Sequence, residues 1–127
     1  MKVGILKKAV EELEKSEHPI FKMSAVIFKG GRIISFGHSC FRSNGIPIKY
    51  KKHGHTLHAE QSAIMNGNKD KMKGSSILIL RTNPSGNLSL AYPCSYCLES
   101  IYFVKIKWIY YSDRDGKINR EKIYYWY

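Results

Sequence analysis

The chain has 127 residues, of which 43% are hydrophobic and 13% aromatic. These values are typical of a globular protein with one core, and no apolar run approaches the ~20 residues of a membrane span. We therefore expect residues 1–127 to form a single domain with no membrane partner and no secretory leader. Three cysteines, two of them close in sequence, argue against a disulfide framework and favour a reducing, cytoplasmic location.

The net charge is +11, and the positive residues are unevenly spread. Residues 18–52 contain no Asp or Glu, but they contain the basic residues Lys22, Lys29, Arg32, Arg42, Lys49, Lys51 and Lys52. Such a surface raises the local concentration of phosphate-bearing partners. A solvated lysine face that maintains solubility is an equally good interpretation.

The first predicted element is an amphipathic helix that ends at residues 16–19. Its apolar positions recur at spacings of three and four, and they are Val3, Leu6, Val10 and Leu13. Two apolar runs, 25–28 and 33–36, flank a Gly30-Gly31 turn and predict a β-hairpin. Residues 37–56 lack periodicity and predict a long loop, which at this length is usually functional or mobile.

Helices and strands alternate in the second half of the chain. A helix is predicted from residue 57 to a stop at 66–68, and a strand over 77–80. A second helix begins near Pro93, and another strand covers 108–111. This alternation favours an α/β fold in which the later strands pair in parallel under covering helices, while the hairpin adds antiparallel strands.

Two short motifs carry the chemical signal. His58-Ala59-Glu60 supplies an imidazole, and Pro93-Cys94-Ser95-Tyr96-Cys97 supplies two thiolates, which are preferred ligands of Zn²⁺. Cysteines at a helix start can point both sulfurs at one ion, and the helix N-terminus stabilises their charge. Three protein ligands leave one tetrahedral position open for water, as in catalytic zinc sites. Glu60 is placed to take up and return a proton.

Each motif alone has other interpretations. A lone C-x-x-C is also found in redox pairs and in structural zinc sites, where a fourth ligand would come from Cys40, His53 or His55. Cys40 is more simply a small buried side chain. The joint order, the spacing, Pro93 and the two predicted helix starts favour one catalytic zinc centre.

These residues resemble the cytidine and deoxycytidylate deaminase superfamily over roughly residues 20–116. The run His58-Ala59-Glu60-Gln61-Ser62-Ala63-Ile64-Met65-Asn66 is most similar to the deoxycytidylate branch, and the Pro93-Cys94-x-x-Cys97 motif follows in family order. The resemblance implies a three-layer α/β domain with a five-stranded mixed sheet flanked by helices. It also implies zinc ligation by His58, Cys94 and Cys97, proton transfer by Glu60, and a homo-oligomer in many members.

The substrate is less defined. The family often places an asparagine two residues after the glycine that ends the second strand; this chain has Ser39 there, with Asn44 the nearest asparagine. The candidate substrate contacts are Ser39, Asn44, Ala59, Tyr92 and Tyr96. The expected reaction is hydrolysis of cytosine to uracil in single-stranded nucleic acid or in a nucleotide. Alternatives are a free cytidine or deoxycytidylate deaminase, a transfer-RNA or DNA adenine deaminase, and a nucleic-acid-binding module with a structural zinc.

Overall fold

The computed structural model describes residues 1–16, 21–40 and 57–125. Its helices and strands are α1 (Val3–Lys15), β1 (Lys22–Lys29), β2 (Arg32–His38), α2 (Ala59–Asn66), β3 (Ser76–Thr82), α3 (Ser95–Phe103), β4 (Trp108–Ser112) and β5 (Ile118–Lys122). Within these ranges, no helix is long and apolar enough to span a membrane. Several predicted residues lie outside the described ranges: Arg42, Asn44, Lys49, Lys51, Lys52, His53 and His55.

The strands form one mixed sheet in the order β2-β1-β3-β4-β5. β1 pairs antiparallel with both β2 and β3, β3 and β4 are parallel, and β5 is antiparallel to β4. The five-stranded mixed sheet is therefore confirmed, whereas parallel pairing of the later strands holds only for β3 and β4. β5, with the sequence Ile-Asn-Arg-Glu-Lys, was not predicted because it lacks alternating apolar residues.

Helices cover both faces of the sheet and so form the outer two of three layers. On one face, α1 packs through Ile5 and Ala9 against Val26 and Leu78 of the central strands. On the other face, α2 and α3 pack through Ala63 and Ile101 against residues of β1, β3 and β4. The central strands β1 and β3 are buried on both faces, which is why residues 77–80 form an unbroken apolar run.

The predicted helix α1 exists, but of the four positions predicted for its apolar face only Leu13 is buried. Val3 is 82% exposed, and Leu6 and Val10 are also exposed; the buried positions are Ile5, Ala9, Glu12 and Leu13. The buried stripe includes Glu12, whose carboxylate contacts His38 Nδ1 at 3.0 Å and Lys15 Nζ at 3.1 Å. A hydrophobic pattern does not predict the burial of a carboxylate whose charge is compensated by a residue distant in the sequence, here His38.

The prediction of a loop over residues 37–56 was wrong at its first two residues, because β2 continues through Gly37 and His38. Residues 41–56 of that prediction lie outside the described ranges. Gly37 lies directly against α2: a Cβ atom there would be 2.6 Å from the backbone nitrogen of Ala63 and from Ser62 Oγ. Two hydrogen bonds tie the same elements together, from Ser35 Oγ to Ala63 O at 2.7 Å and from Asn66 Nδ2 to Phe36 O at 3.1 Å. The edge strand β2 thus fixes the position of α2.

Candidate active site

The two predicted motifs lie at the N-termini of α2 and α3. His58 is the residue before the first turn of α2, and Cys94 occupies the same position on α3; both have extended backbone conformations. Pro93 was expected in the first helical turn, but it precedes the helix cap. Cys97 lies one turn into α3 and is fully buried. Because unsatisfied N–H groups are concentrated at helix N-termini, both helices direct positive potential at the cysteine sulfurs.

His58, Cys94 and Cys97 converge, and their donor atoms all lie within 4.8 Å of one another. The imidazole Nδ1 of His58 is 3.3 Å from Cys97 Sγ and 3.9 Å from Cys94 Sγ. One Zn²⁺ bound at usual bond lengths and tetrahedral angles would hold a nitrogen and a sulfur about 3.6 Å apart. Zn²⁺ therefore fits this group of donors. Cys40, considered as a fourth ligand, is buried against Leu57 and is not part of the cluster.

The two thiols have unequal acidities. A hydrogen bond from Cys97 lowers the pKa of Cys94 to about 4, against the resistance of burial, and the nearby His58 assists. The same hydrogen bond, together with burial and the nearby Glu60, raises the pKa of Cys97. The hydrogen bond between the two thiols therefore shifts their pKa values in opposite directions. A divalent cation bound by both sulfurs would remove this difference, because each coordinating thiol is deprotonated.

Glu60 is 1% exposed and lies in the first turn of α2, next to the three donors. Burial raises the pKa of its carboxyl group, although its own backbone N–H and the charge of His58 oppose the change. Its Oε1 atom has no hydrogen-bond partner among the described residues. A buried carboxyl with a raised pKa and an unused oxygen has the properties of a group that accepts and returns protons.

The other predicted contacts occupy different environments. Ala59 is completely buried between His58 and Glu60, and Ser39 is buried, with its N–H donating to Met23 O at 3.2 Å. Tyr96 is half-buried in the first turn of α3. Tyr92 stacks edge-on against Tyr111, with ring centroids 5.0 Å apart. The structure thus places Ala59 and Tyr96 on the helices that carry the ligands, and the substrate roles of these residues remain predictions.

Gly37 was not singled out from the sequence, although it determines how closely α2 approaches the sheet. An isolated glycine within a strand pattern indicates close approach of another backbone, and that was the available signal.

An α/β sheet with a His-Cys-Cys donor cluster at two helix N-termini defines the class as a zinc-binding α/β protein. Residues 2–113 match the family model of the cytidine and deoxycytidylate deaminase zinc-binding region. This match covers most of the chain, and the protein therefore belongs to that deaminase family. No curated protein matches the chain.

Solved structures share the fold. A cytidine deaminase from Burkholderia pseudomallei is similar with a TM-score of 0.64 and 13% identity, over 96% of this chain and 93% of that one. A dCMP deaminase from cyanophage S-TIM5, in complex with dCMP and dUMP, has a TM-score of 0.59 and 23% identity over 89% and 84% of the two chains. RibD from Acinetobacter baumannii has a TM-score of 0.54 and 18% identity; 85% of this chain is covered, but only 27% of RibD.

Proposed function

We propose that this protein is a zinc-dependent deaminase. It hydrolyses the bond between the cytosine ring and its exocyclic amino group in a nucleotide, giving uracil and ammonia. The observation that carries the proposal is the convergence of His58 Nδ1 and the sulfurs of Cys94 and Cys97 beside the buried Glu60. We further propose that residues 1–127 form one deaminase domain. The proposed location is the cytoplasm, where the cysteines, all three of which are free, would stay reduced.

In this proposal, His58, Cys94 and Cys97 hold the metal. When bound, Zn²⁺ would supply a Lewis acid and lower the pKa of water to about 7. The Glu60 carboxylate takes a proton from the attacking water and gives it to the ring nitrogen. It then carries the second proton of the water to the departing amino group, which leaves as ammonia. One carboxyl group therefore serves as base and as acid, and its raised pKa suits both steps.

The buried position of Glu60 is important to this role. Because the carboxyl group is shielded from bulk water, its proton is transferred to the substrate with little competition from solvent. The N-terminus of α2, where Glu60 lies, favours the ionised form and limits the rise in pKa caused by burial. Burial and the helix terminus thus act in opposite directions on the pKa of one group.

A nucleotide is favoured as substrate because a fold relative, the cyanophage enzyme, is a dCMP deaminase whose structure contains dCMP and dUMP. Cytosine in single-stranded nucleic acid is the second candidate. It is supported by the net charge of +11 and by the seven basic residues in the segment without acids that leads to His58.

The decisive experiment compares wild-type protein with Glu60→Gln and with the control Glu99→Gln, which changes an exposed carboxyl group on α3. Zinc content is measured by elemental analysis, and ammonia release by a coupled assay with dCMP. We expect Glu60→Gln to retain zinc and to lose at least about a hundredfold in turnover, since that is the usual contribution of general acid–base catalysis. Glu99→Gln should retain both zinc and turnover.

Wild-type protein that binds zinc but releases no ammonia from any substrate would instead support a structural zinc site. The substrate panel consists of cytidine, dCMP, single-stranded DNA and transfer RNA, with base changes read by mass spectrometry. Conversion of dCMP alone supports the first candidate, and conversion of the polymers alone supports the second. Conversion of adenine to hypoxanthine in transfer RNA would overturn the assignment of cytosine.

A further inference from the structure

Two adjoining cavities lie beside α3, where the chain leaves β5. The larger has a volume of about 510 Å³ and the smaller about 250 Å³. They share five lining residues, namely Lys105, Lys122, Ile123, Tyr124 and Tyr125. His58, Glu60, Cys94 and Cys97 line neither of them. Tyr92, a predicted substrate contact two residues before Cys94, lines the larger one only.

The smaller cavity lies at the opposite end of α3 from Cys94 and Cys97. It is bordered by the loop before β3, at Lys73 and Gly74, and by the loop between α3 and β4, at Lys105 and Lys107. A hydrogen bond of 2.8 Å from Gly74 N to Lys105 O joins these loops. Six residues of helix, about 9 Å, separate Cys97 from Phe103 at the far end of α3, so a ligand in the smaller cavity would not touch the zinc donors.

The smaller cavity is strongly basic. Lys73, Lys105, Lys107 and Lys122 line it, and none of its described lining residues is acidic. Four positively charged side chains around one space repel one another, and an anion among them relieves the repulsion. The larger cavity differs, because its lining includes one carboxylate, Glu121, and a larger number of rings.

Lys105 has an unusual backbone. It follows the C-cap of α3 with φ +63°, and it is the only non-glycine residue with positive φ in the described part of the chain. Hydrogen bonds from Lys105 N to Tyr102 O and from Ile106 N to Ile101 O form a Schellman motif, in which this position is usually glycine. A lysine is disfavoured in this conformation relative to glycine, so the backbone gives no reason for a lysine at this position.

Tyrosine rings line the larger cavity. Tyr102 is 45% and Tyr124 79% exposed, while Tyr125 donates its hydroxyl to Ile106 O at 2.6 Å. Lys105 Nζ lies 4.9 Å from the ring centre of Tyr125, and Lys122 Nζ lies 5.3 Å from that of Tyr124. Exposed rings adjacent to ammonium groups are the combination that binds a base by stacking and its phosphate by charge.

We propose that the two cavities form a second binding site, separate from the zinc centre, for a ligand with a planar aromatic ring and a phosphate. The ring packs against Tyr102 and Tyr124, and the phosphate lies among Lys73, Lys105 and Lys107. Free nucleotides and single nucleotide units of a strand share this chemistry. Either source would explain why lysines, rather than residues of mixed charge, surround the smaller cavity.

The site is tested by amide chemical-shift titration of the ¹⁵N-labelled full chain with zinc bound. The probes are deoxyadenylate, deoxyadenosine, inorganic phosphate and an oligomer of ten deoxyadenylates. We expect saturable shifts at Gly74, Lys105 and Lys107 with deoxyadenylate, and weaker binding of phosphate or the nucleoside alone. An oligomer that binds these amides at least tenfold more tightly identifies a strand as the source, and equal or weaker binding identifies the free nucleotide.

Lys107→Ser should weaken deoxyadenylate binding about threefold, as expected for one solvent-exposed charge contact. Lys105→Gly should weaken it by a similar factor while relieving the unfavourable backbone conformation, so lost binding cannot be explained by lost folding. The control is Lys7→Ser, which removes an exposed charge from α1. Absence of shifts at residues 73–74 and 105–107, or equal affinity of Lys107→Ser and Lys7→Ser, would overturn the proposal. Neither result depends on turnover, so the proposed deaminase activity is tested separately.

Discussion

Gly37→Ala is the substitution that links the fold to the zinc centre most directly. Gly37 lies in β2, and an added Cβ would meet Ala63 N and Ser62 Oγ at 2.6 Å, with the Ser62 carbonyl carbon at 2.8 Å. Ordinary contacts begin near 3.4 Å, so the helix backbone is about 0.8 Å too close. The serine hydroxyl can rotate away, but the Ala63 nitrogen belongs to α2 and moves only with it.

The required movement displaces the helix that carries Glu60 and follows His58. Overpacking of this kind costs about 1–3 kcal/mol of unfolding free energy. For a chain of this size, each kcal/mol lowers the melting temperature by about 3–5 °C. A displacement approaching 1 Å at a catalytic group lowers turnover by as much as about a hundredfold. We therefore expect a lower melting temperature and a tenfold to hundredfold loss of deamination.

The assay combines thermal melting, zinc content and ammonia release. The matched control is Gly4→Ala, because Gly4 lies inside α1 with nothing within 4 Å of an added Cβ. That change should raise stability by up to about 1 kcal/mol through helix propensity and leave turnover unchanged. If Gly37→Ala had the same melting temperature and turnover as wild type, the described packing of β2 against α2 would be incorrect.

Three further predictions concern stability. Burial resists ionisation of Glu12, but hydrogen bonds from His38 and Lys15 outweigh it and lower its pKa below 4.5. The stabilisation that ionised Glu12 gives to the fold is thus complete above pH 4.5 and is lost as the pH falls through the lowered pKa. In urea unfolding, Glu12→Gln should be less stable than wild type by about 1 kcal/mol at pH 7, and the difference should disappear at acid pH. A constant difference at all pH values would contradict this. Lys105→Gly should raise unfolding free energy by about 1 kcal/mol in the same assay, whereas Lys105→Ala should give no such gain. Removal of zinc by a chelator should lower the melting temperature of wild type, and Cys97→Ser, with little zinc to lose, should show a much smaller change.

The sequence predicted the structure best at the two motifs, where the candidate ligands lie at helix starts. The motifs around His58 and Cys94 predicted both helix starts, because cap positions and proline are local properties. The donors that the motifs proposed are the three residues that the structure brings together. The sequence was least informative for α1 and β5. The buried face of α1 depends on the compensation of Glu12 by His38, and the pairing of β5 depends on a turn in which Asp113 Oδ1 accepts hydrogen bonds from the N–H groups of Asp115 and Lys117.

The residue types alone supplied a set of donors that Zn²⁺ prefers and a glutamate two residues from the histidine, since imidazole and thiolates are preferred zinc ligands wherever they occur. Only the tertiary structure decided that His58 meets Cys97, which is 39 residues away in the chain. That meeting requires parallel pairing of β3 with β4 and packing of α2 and α3 on one face of the sheet. The physical reason is that the chemistry of a donor depends on its own side chain, whereas the distance between two donors depends on how the core packs the elements that carry them.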